Sequence, residues 1–278
     1  MSLLFFAPEG VRLAYTDTGS GLPVLFLHPT PLDHGFWTPL IERLPGIRAI
    51  TLDMRGHGAS ELGADLPVGL FDHAPQVPVL NAERMALDVI ALLDHLHIEK
   101  AVVIACSFGG YTALELWRRV PQRILGLGFL CSRPQPEPEP FRQRRAEAMA
   151  QATADNLGEI FDGAIAKCTG ATAQNARPEI LSELRACVTQ PLEAYLATQA
   201  GLATRPDSVA TVATINVPLL AVSGGEDNAS SRADMLAFLN TSGPRVDYTF
   251  LSEAGHFAAY EYPDTVAAIV QPWLGRFA

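Results

Sequence analysis

Three short segments of the chain carry side chains that together could perform nucleophilic catalysis. The first is Ala105–Gly109, where a run of apolar residues gives way to a helical pattern. Small residues two positions before and after Ser107 allow a sharp strand-to-helix turn that exposes the serine hydroxyl. Because a helix N-terminus favours developing negative charge, Ser107 is a candidate nucleophile. The alternative role for this serine is to cap the helix.

The other two segments supply an acid and a base. Asp227 follows an apolar run that ends at Gly224, and Glu226 beside it is the reserve acid. His256 follows the last apolar run. A carboxylate that contacts a histidine holds its imidazole in one tautomer and offsets the charge gained with a proton. The chain order predicts a triad of Ser107, Asp227 and His256, with capping of the following helix as the alternative role for Asp227.

These segments resemble the nucleophile, acid and histidine motifs of the α/β-hydrolase superfamily. The resemblance covers nearly the whole chain outside a central insertion, and residues 53–60 match the superfamily's D-x-R-G-x-G-x-S signature. Ala105 replaces the usual first glycine of the nucleophile motif, which a small side chain allows. Because that signature has a structural role in the superfamily, the resemblance gives His57 no catalytic part. It also makes Cys106 a packed small residue rather than the nucleophile.

The resemblance further indicates which groups would bind an oxyanion. Two backbone N–H groups are needed, and one comes from Phe108, the residue after the nucleophile. The other comes from the segment after an early strand, which reads His-Pro-Thr-Pro over residues 28–31. Since proline has no N–H, Thr30 is the predicted second donor, and its hydroxyl could add a further contact. His28 is expected to be a structural residue of this loop.

Alternating apolar and helical patterns predict the elements that position these residues. Short runs that are apolar on both faces predict strands covered by helices on both sides, and these runs alternate with helical patterns for most of the chain. This alternation predicts a doubly wound, mostly parallel sheet, the α/β-hydrolase fold. The predicted strands cover 3–7, 11–15, 24–27, 49–52, 101–105, 124–130, 217–222 and 246–251, and the predicted helices of this part cover 81–96, 109–120 and 265–277.

The alternation stops between Pro134 and about Pro206. Four prolines in residues 134–140 predict a stiff extended linker. Helices are predicted after it, at 141–151, 156–168, 179–188 and 192–202. We therefore predict a core domain of residues 1–133 and 207–278 with an inserted helical cap domain of residues 134–206. Residues 61–80 form a second irregular segment, whose length is often a sign of function.

Composition limits the partners that can be expected. The 278 residues carry a net charge of −10, with 48% apolar and 18% charged residues, which is typical of a globular protein. Nucleic-acid binding draws on clustered Lys and Arg, and the one basic cluster, Arg142, Arg144 and Arg145, is short and flanked by acids. No nucleic-acid partner is therefore expected.

A cytoplasmic location is predicted from two further features. No stretch approaches the roughly 18 apolar residues of a membrane span, and the N-terminus lacks the features of a signal peptide. No membrane partner is therefore expected. The four cysteines form no CxxC pair and are predicted to be free thiols, with a Cys168–Cys187 bridge left open.

The resemblance implies acyl transfer to water, since serine rather than aspartate occupies the nucleophile position. The substrate would be a small ester or lactone, bound between core and cap against Phe36 and Trp37. No cofactor and no metal is expected, because His95 and His97 lack a carboxylate or thiol to complete a ligand set. Activity like that of a 3-oxoadipate enol-lactonase or a C–C bond hydrolase stays open, and so does a non-catalytic small-ligand receptor. The sequence does not indicate the oligomeric state.

Overall fold

Strand pairing organises the molecule around one sheet. A computed structural model describes residues 2–69, 76–241 and 246–277. Within these residues, eight strands form a sheet in the order β1-β2-β4-β3-β7-β8-β9-β10, and the short strands β5 and β6 pair separately. The strands are β1 Leu4–Phe6, β2 Leu13–Gly19, β3 Leu22–Leu27, β4 Ile47–Leu52, β5 Val68–Gly69, β6 Val77–Pro78, β7 Ala101–Cys106, β8 Ile124–Leu130, β9 Leu219–Gly224 and β10 Val246–Leu251.

The sheet is mostly parallel, which confirms the predicted fold class. β2 pairs antiparallel with both β1 and β4, and the pairs from β4 to β10 are parallel. The first two predicted strands, 3–7 and 11–15, correspond to β1 and β2, which pair as an antiparallel hairpin. Parallel neighbours need crossovers, and helices provide them.

The helices cover both faces of the sheet and the region between β8 and β9. Within the described residues, no helix combines the length and the apolar character that crossing a membrane requires. The helices are α1 Thr38–Ile41, α2 Ala82–His95, α3 Phe108–Arg119, α4 Glu139–Gln151, α5 Leu157–Cys168, α6 Ala171–Ala176, α7 Ile180–Ala186, α8 Leu192–Ala203, α9 Val209–Val212, α10 Arg232–Thr241, α11 Ala258–Glu261 and α12 Pro263–Leu274.

Alternate side chains of each central strand pack into different layers. In β3, Val24 and Phe26 join the layer that contains α1 and α12, whereas Leu25 and Leu27 join the layer that contains α2 and α3. All four side chains are fully buried. This is why β3 and β7 are apolar at every position, since both faces of the sheet are covered there.

The parallel register brings the carboxyl ends of six strands, β3, β4 and β7 to β10, to one edge of the sheet. Leu27 at the end of β3 lies opposite Ala105 in β7, and Cys106 lies opposite Leu130 at the end of β8. The ends of β9 and β10 are also opposite each other, at Gly224 and Leu251. The loops that follow these strands therefore meet at that edge, where ligands bind in open α/β sheets.

Five helices, α4 to α8, lie between residues 134 and 206, and this range contains no strand. Four of them match the predicted helices closely, but α6 was not predicted because its six residues are too few for a periodic pattern. The predicted extended linker ends early, since α4 begins at Glu139 with a proline in its first turn, where proline is tolerated. In the predicted irregular segment 61–80, β5 and β6 form a short pair, and residues 70–75 lie outside the described residues.

Candidate active site

Ser107 occupies a strained turn between β7 and α3. Its backbone has φ 49° and ψ −111°, a combination that residues other than glycine rarely adopt. The backbone around it is held by the Ser107 N–H, which donates to Leu130 O at 3.3 Å, and by the Ser132 hydroxyl, which donates to Ser107 O at 3.0 Å. Within the described part of the chain the Ser107 hydroxyl makes no hydrogen bond, and it lines a cavity together with His256.

The glycines after Ser107 are required by neighbouring strands. A Cβ at Gly109 would overlap the carbonyl oxygen of Leu27 at the end of β3, and one at Gly110 would overlap the hydroxyl of Ser132 after β8. The small residue at 109 was predicted from crowding within the turn itself. The structure adds that the crowding comes from the adjacent strand and extends to Gly110.

His256 and Asp227 are in direct contact. The His256 Nδ1 lies 2.9 Å from each carboxylate oxygen of Asp227, and both side chains are almost completely buried. Because the carboxylate only accepts, Nδ1 carries the hydrogen and Nε2 is left free to accept a proton. Asp227 also accepts the N–H of Ala229 at 2.7 Å and the N–H and hydroxyl of Ser230, at 2.9 and 2.6 Å.

Burial would raise the pKa of Asp227, but the charge of His256 and the hydrogen bonds from His256 and Ser230 outweigh it and hold the pKa below its ordinary value. Asp227 is therefore ionised at neutral pH. The reserve acid, Glu226, points elsewhere: its carboxylate accepts the N–H and the hydroxyl of Thr172, at 2.8 and 2.5 Å. The structure thus pairs His256 with Asp227 and ties Glu226 to the helical insertion.

Glu261 supports the histidine loop, and sequence reasoning did not single it out. Its buried carboxylate accepts the N–H groups of Gly255 at 2.7 Å, Phe257 at 3.0 Å and Gly170 at 3.2 Å. Burial raises its pKa against the opposing effect of these donors. The His256 N–H donates to Cys168 O at 2.7 Å. One carboxylate therefore fixes the residues on both sides of His256 and joins them to the loop between α5 and α6.

The two predicted oxyanion donors lie on opposite sides of Ser107 in the sequence but near the same sheet edge. Phe108 is the first residue of α3, so its N–H has no partner within the helix. Thr30 follows β3 and lines the same cavity as Ser107. The Thr30 hydroxyl lies 3.0 Å from His57 Nε2, so the predicted further contact from this hydroxyl is directed instead to His57.

His28 and His57 are fully buried, neutral residues of the loops below the cavity. Burial, followed by repulsion from His57, lowers the pKa of His28 to about 3, and burial lowers the pKa of His57 to about 4. His28 Nε2 accepts the Met54 N–H at 3.0 Å and Nδ1 lies 3.0 Å from Pro29 O. His57 Nδ1 lies 2.9 Å from Arg55 O. These bonds tie the loop after β3 to the loop after β4.

A cavity of about 290 Å³ lies between the sheet edge and the helical insertion. Thr30, Ser107 and His256 line it from the core, and side chains of α4, α5 and α8 line it from the other side, among them Phe161 and Tyr195. The arrangement therefore places the Ser107 hydroxyl, the His256 imidazole and Thr30 around one cavity.

Phe36 and Trp37, the predicted substrate-binding residues, are not among the residues that line this cavity. Both are fully buried. Their rings contact each other at 4.8 Å between centroids, and Trp37 also packs on Phe26 of β3 at 5.3 Å. They belong to the layer of the core beneath α1 and α12. A pocket residue and a core residue have the same apolar type, and the sequence alone did not distinguish them.

Among the described residues, one trio of side chains has metal-ligand atoms within 4.8 Å of one another: Asp33, His34 and Asp53. Hydrogen bonds already use these atoms. Asp53 accepts hydrogen bonds from the backbone N–H of His34 at 2.8 Å and from the backbone N–H of Ala59 at 3.0 Å. The His34 Nδ1 lies 2.7 Å from the same carboxylate. Asp33 accepts the Gly35 N–H at 2.8 Å. The trio therefore fastens one loop to another.

Cys106 is completely buried, and its thiol lies 3.6 Å from the carbonyl oxygen of His256. Burial raises its pKa well above the ordinary value, so the thiolate that a nucleophilic cysteine needs is disfavoured. All four cysteines are free in the structure.

A mostly parallel sheet with a serine, a histidine and an acid at its carboxyl edge defines an α/β hydrolase. Residues 24–269 match the alpha/beta hydrolase family, and the chain belongs to that family.

Known proteins of this family differ in their activities. A haloalkane dehalogenase of Mesorhizobium japonicum is 34% identical over 120 residues, which is 42% of this chain and 35% of that protein. The chain spans about a third of the length of the curated relatives it matches. Two solved structures match almost completely. They are a malate-bound thermophilic esterase of Thermogutta terrifontis, with TM-score 0.85, 28% identity and 99% of each chain covered, and an enol-lactonase of Burkholderia xenovorans LB400, with TM-score 0.84, 23% identity and 98% and 100% covered.

The buried histidines predict a loss of stability in acid. Unfolded histidine binds a proton below about pH 6.5, whereas folded His28 binds it only near pH 3. The stability it contributes is complete above pH 6.5 and is lost as the pH falls, at about 1.4 kcal/mol per pH unit. We expect a His28→Gln variant to lose that slope between pH 6 and 4.5, as measured by urea unfolding at each pH. Parallel curves for variant and wild type would contradict the assignment.

Replacing Glu261 should loosen the histidine loop. In Glu261→Gln only one oxygen remains to accept three N–H groups, so we expect the free energy of unfolding to fall by about 1–3 kcal/mol. The matched control is Glu253→Gln, which removes an exposed acid of the same loop. Equal unfolding midpoints for the two variants would show that Glu261 does not stabilise the histidine loop.

Proposed function

We propose that the protein is a serine hydrolase that cleaves a small carboxylic ester or lactone through an acyl-enzyme at Ser107. The observation that carries the proposal is the contact of His256 Nδ1 with both oxygens of Asp227 at 2.9 Å, beside a cavity shared with Ser107. A carboxylate in this position stabilises the imidazolium that forms when histidine takes a proton.

In the proposed reaction, His256 Nε2 removes the proton of Ser107 and the serine oxygen attacks the substrate carbonyl. His256 then passes the proton to the leaving alkoxide, which departs and leaves an ester on Ser107. Water enters, loses a proton to His256 and attacks this ester. The bond to Ser107 then breaks, His256 returns the proton to the serine oxygen, and the acid is released. The positive φ of Ser107 supports this role, because backbone strain of this kind is concentrated at functional sites.

The oxyanion formed at each step would accept hydrogen bonds from the N–H groups of Phe108 and Thr30. Phe108 N–H has no helical partner and the dipole of α3 adds to its effect. The Thr30 N–H is held in place by the contact of its hydroxyl with His57 and by the fixed loop around buried His28. Removing one such donor typically costs roughly 3 kcal/mol of transition-state stabilisation.

We also propose that residues 134–206 act as a cap domain on a core of residues 1–133 and 207–278. Helices α4, α5 and α8 form the wall of the cavity opposite Ser107, so they would select the substrate. The cap does not have a separate apolar centre. Its side chains Leu157, Phe161 and Leu184 belong to the same cluster as the core residues of β3 and α12.

A fluorophosphonate probe gives a direct test of the nucleophile. We expect the wild-type protein to be labelled at Ser107 and to hydrolyse 4-nitrophenyl butyrate, because the hydroxyl is exposed to the cavity beside a general base. In Ser107→Ala, labelling should be lost and kcat should fall by about 10³-fold or more. Peptide mass spectrometry locates the label.

Ser182→Ala is the control, since Ser182 lies on α7 and its hydroxyl donates to Glu179 O at 2.8 Å, away from the cavity. Full esterase activity in Ser107→Ala would exclude this serine as the nucleophile. A wild-type protein that is neither labelled nor active, yet binds small molecules, would instead favour a non-catalytic receptor.

A second pair of variants tests the acid. Asp227→Asn keeps the size of the side chain but removes the charge beside His256, so kcat should fall by about 10²- to 10⁴-fold. Glu226→Gln is the matched control, because the neighbouring acid bonds to Thr172 and not to His256. The measurement is kcat for the same ester at pH 8. A larger loss in Glu226→Gln would reverse the assignment.

A further inference from the structure

The cavity is strongly cationic although the whole chain is acidic. Arg133, Arg145, Arg205 and Lys167 line it, and Glu137 is the one carboxylate among its lining residues. The complete sequence has a net charge of −10. Positive charge is thus concentrated at the one place where the proposed substrate would bind.

Glu137 organises the three arginines but does not neutralise them. Its side chain is completely buried, and its carboxylate accepts hydrogen bonds from Arg133 Nη2 at 3.2 Å, from Arg145 Nε at 3.0 Å and from Arg205 Nη1. Arg133 has a second, longer contact with Asp234 at 3.6 Å. One carboxylate therefore fixes three guanidinium groups on the same wall, and cationic charge is left over.

Arg205 has a buried donor that the protein does not use. The side chain is 3% exposed, and its Nε donates to Gln135 O at 3.0 Å while Nη1 donates to Glu137 and Leu202 O. Its Nη2 is buried and has no hydrogen-bond partner among the described residues. The guanidinium lies 4.7 Å from the ring centre of Tyr111, another lining residue, which fixes its plane. Arg133 Nε is likewise buried, and no atom in the described part of the chain forms a hydrogen bond with it.

A buried guanidinium N–H without an acceptor is costly, so these donors call for one. We propose that the arginine cluster, Arg133, Arg145 and Arg205, binds a carboxylate on the substrate, and that the preferred ester or lactone carries this free carboxylate away from the bond that is cleaved. A guanidinium presents parallel donors that match the two oxygens of a carboxylate.

The inference rests on the proposed function, and it adds a substrate class to it. Because the arginines and Ser107 line one cavity, a substrate would be held at both ends: its carboxylate at the cluster and its ester carbonyl at the serine. Holding the two ends fixes the reacting carbonyl, which raises kcat/KM for an anionic substrate over a neutral one of the same length. Exposed Lys167, on α5, adds to the positive potential of the cavity.

The test compares two esters that differ only in the far end. The first is 4-nitrophenyl hydrogen adipate, which has a free carboxylate, and the second is 4-nitrophenyl methyl adipate, in which that carboxylate is capped. We expect wild-type kcat/KM to be about tenfold or more higher for the anionic ester, since a charge-assisted hydrogen bond is worth at least this factor. The ratio should shrink as salt is added.

Arg205→Gln should reduce the ratio of kcat/KM for the anionic ester to that for the capped ester by about tenfold. Arg205→Lys keeps the charge but loses the parallel donors of the guanidinium, so it should reduce the ratio less. Arg48→Gln is the matched control: Arg48 pairs with Asp17 between β4 and β2, outside the cavity, so its loss should leave the ratio unchanged. If Arg205→Gln does not fold, the same ratio is measured for Arg133→Gln and compared with that of the wild type.

The outcomes separate this inference from the proposed function. Equal kcat/KM for the two esters, with labelling of Ser107 intact, would overturn the carboxylate site and leave the serine hydrolase standing. A third ester carries a phosphonate in place of the free carboxylate at the far end. A higher kcat/KM for this ester than for the carboxylate ester would also overturn the carboxylate site. If neither ester is cleaved and Ser107 is not labelled, the proposed function fails. Thermal unfolding then tests the carboxylate site independently of catalysis. Adipate should raise the unfolding midpoint of the wild type, and adipamide should not. Adipate should not raise the midpoint of Arg205→Gln.

Discussion

The parallel register of the sheet is the constraint on which the rest of the structure depends. It sets Leu27 beside Ala105, Cys106 beside Leu130 and Gly224 beside Leu251, so the strands end level with one another. A shift of one residue in any of these strands would turn its side chains to the other face and move its loop along the edge. The loops that carry the candidate catalytic groups are short, and they meet because the strand ends are aligned.

Close contacts between loops make this edge rigid. A Cβ at Gly224 would overlap the carbonyl oxygens of Ala254 and Gly255, and a Cβ at Gly255 would overlap the Gly170 N–H group. Glu261 accepts hydrogen bonds from the N–H groups of both Gly170 and Gly255. The histidine loop is thus packed against the loop after β9 on one side and against the helical insertion on the other. Its geometry and the seating of the insertion depend on one another.

Sequence reasoning located the strands and the three motif residues because each depends on local pattern. Short apolar runs predicted the central strands, and the structure confirms the mostly parallel sheet. Ser107, Asp227 and His256 were identified from segments that follow those strands, and the structure places Asp227 against His256. Their catalytic roles, and those of Thr30 and Phe108, remain predictions.

What the sequence did not reveal depends on side-chain direction and on contacts between distant segments. Phe36 and Trp37 have the residue types of a pocket wall, but their position above β3 buries them in the core. Glu261 gave no signal, since its partners are backbone groups at residues 170, 255 and 257. Helix α6 was not predicted because it is short. The arginine cluster was not predicted because its members are spread from residue 133 to residue 205.

The basic run in α4 illustrates this last point. Arg142, Arg144 and Arg145 are neighbours in sequence and were considered as one cluster. In the helix they separate: Arg142 pairs with Glu139 at the surface and Arg144 lies over the ring of Phe141, whereas Arg145 reaches Glu137 and Gln199 at the cavity. Helical geometry thus assigns adjacent, chemically equal residues to different surroundings.

An acidic exterior and a cationic cavity are compatible because the two sets of charges are screened differently. At physiological ionic strength the Debye length is about 8 Å, so exposed acids farther away than this have little effect on an approaching anion. The guanidinium groups around Glu137 are buried or half-buried, where screening is weaker and each charge is felt more strongly. An anion at the cavity therefore responds to the arginines more than to the net charge of the chain. The sign of a protein's total charge consequently says little about the sign of the ligand that its cavity selects.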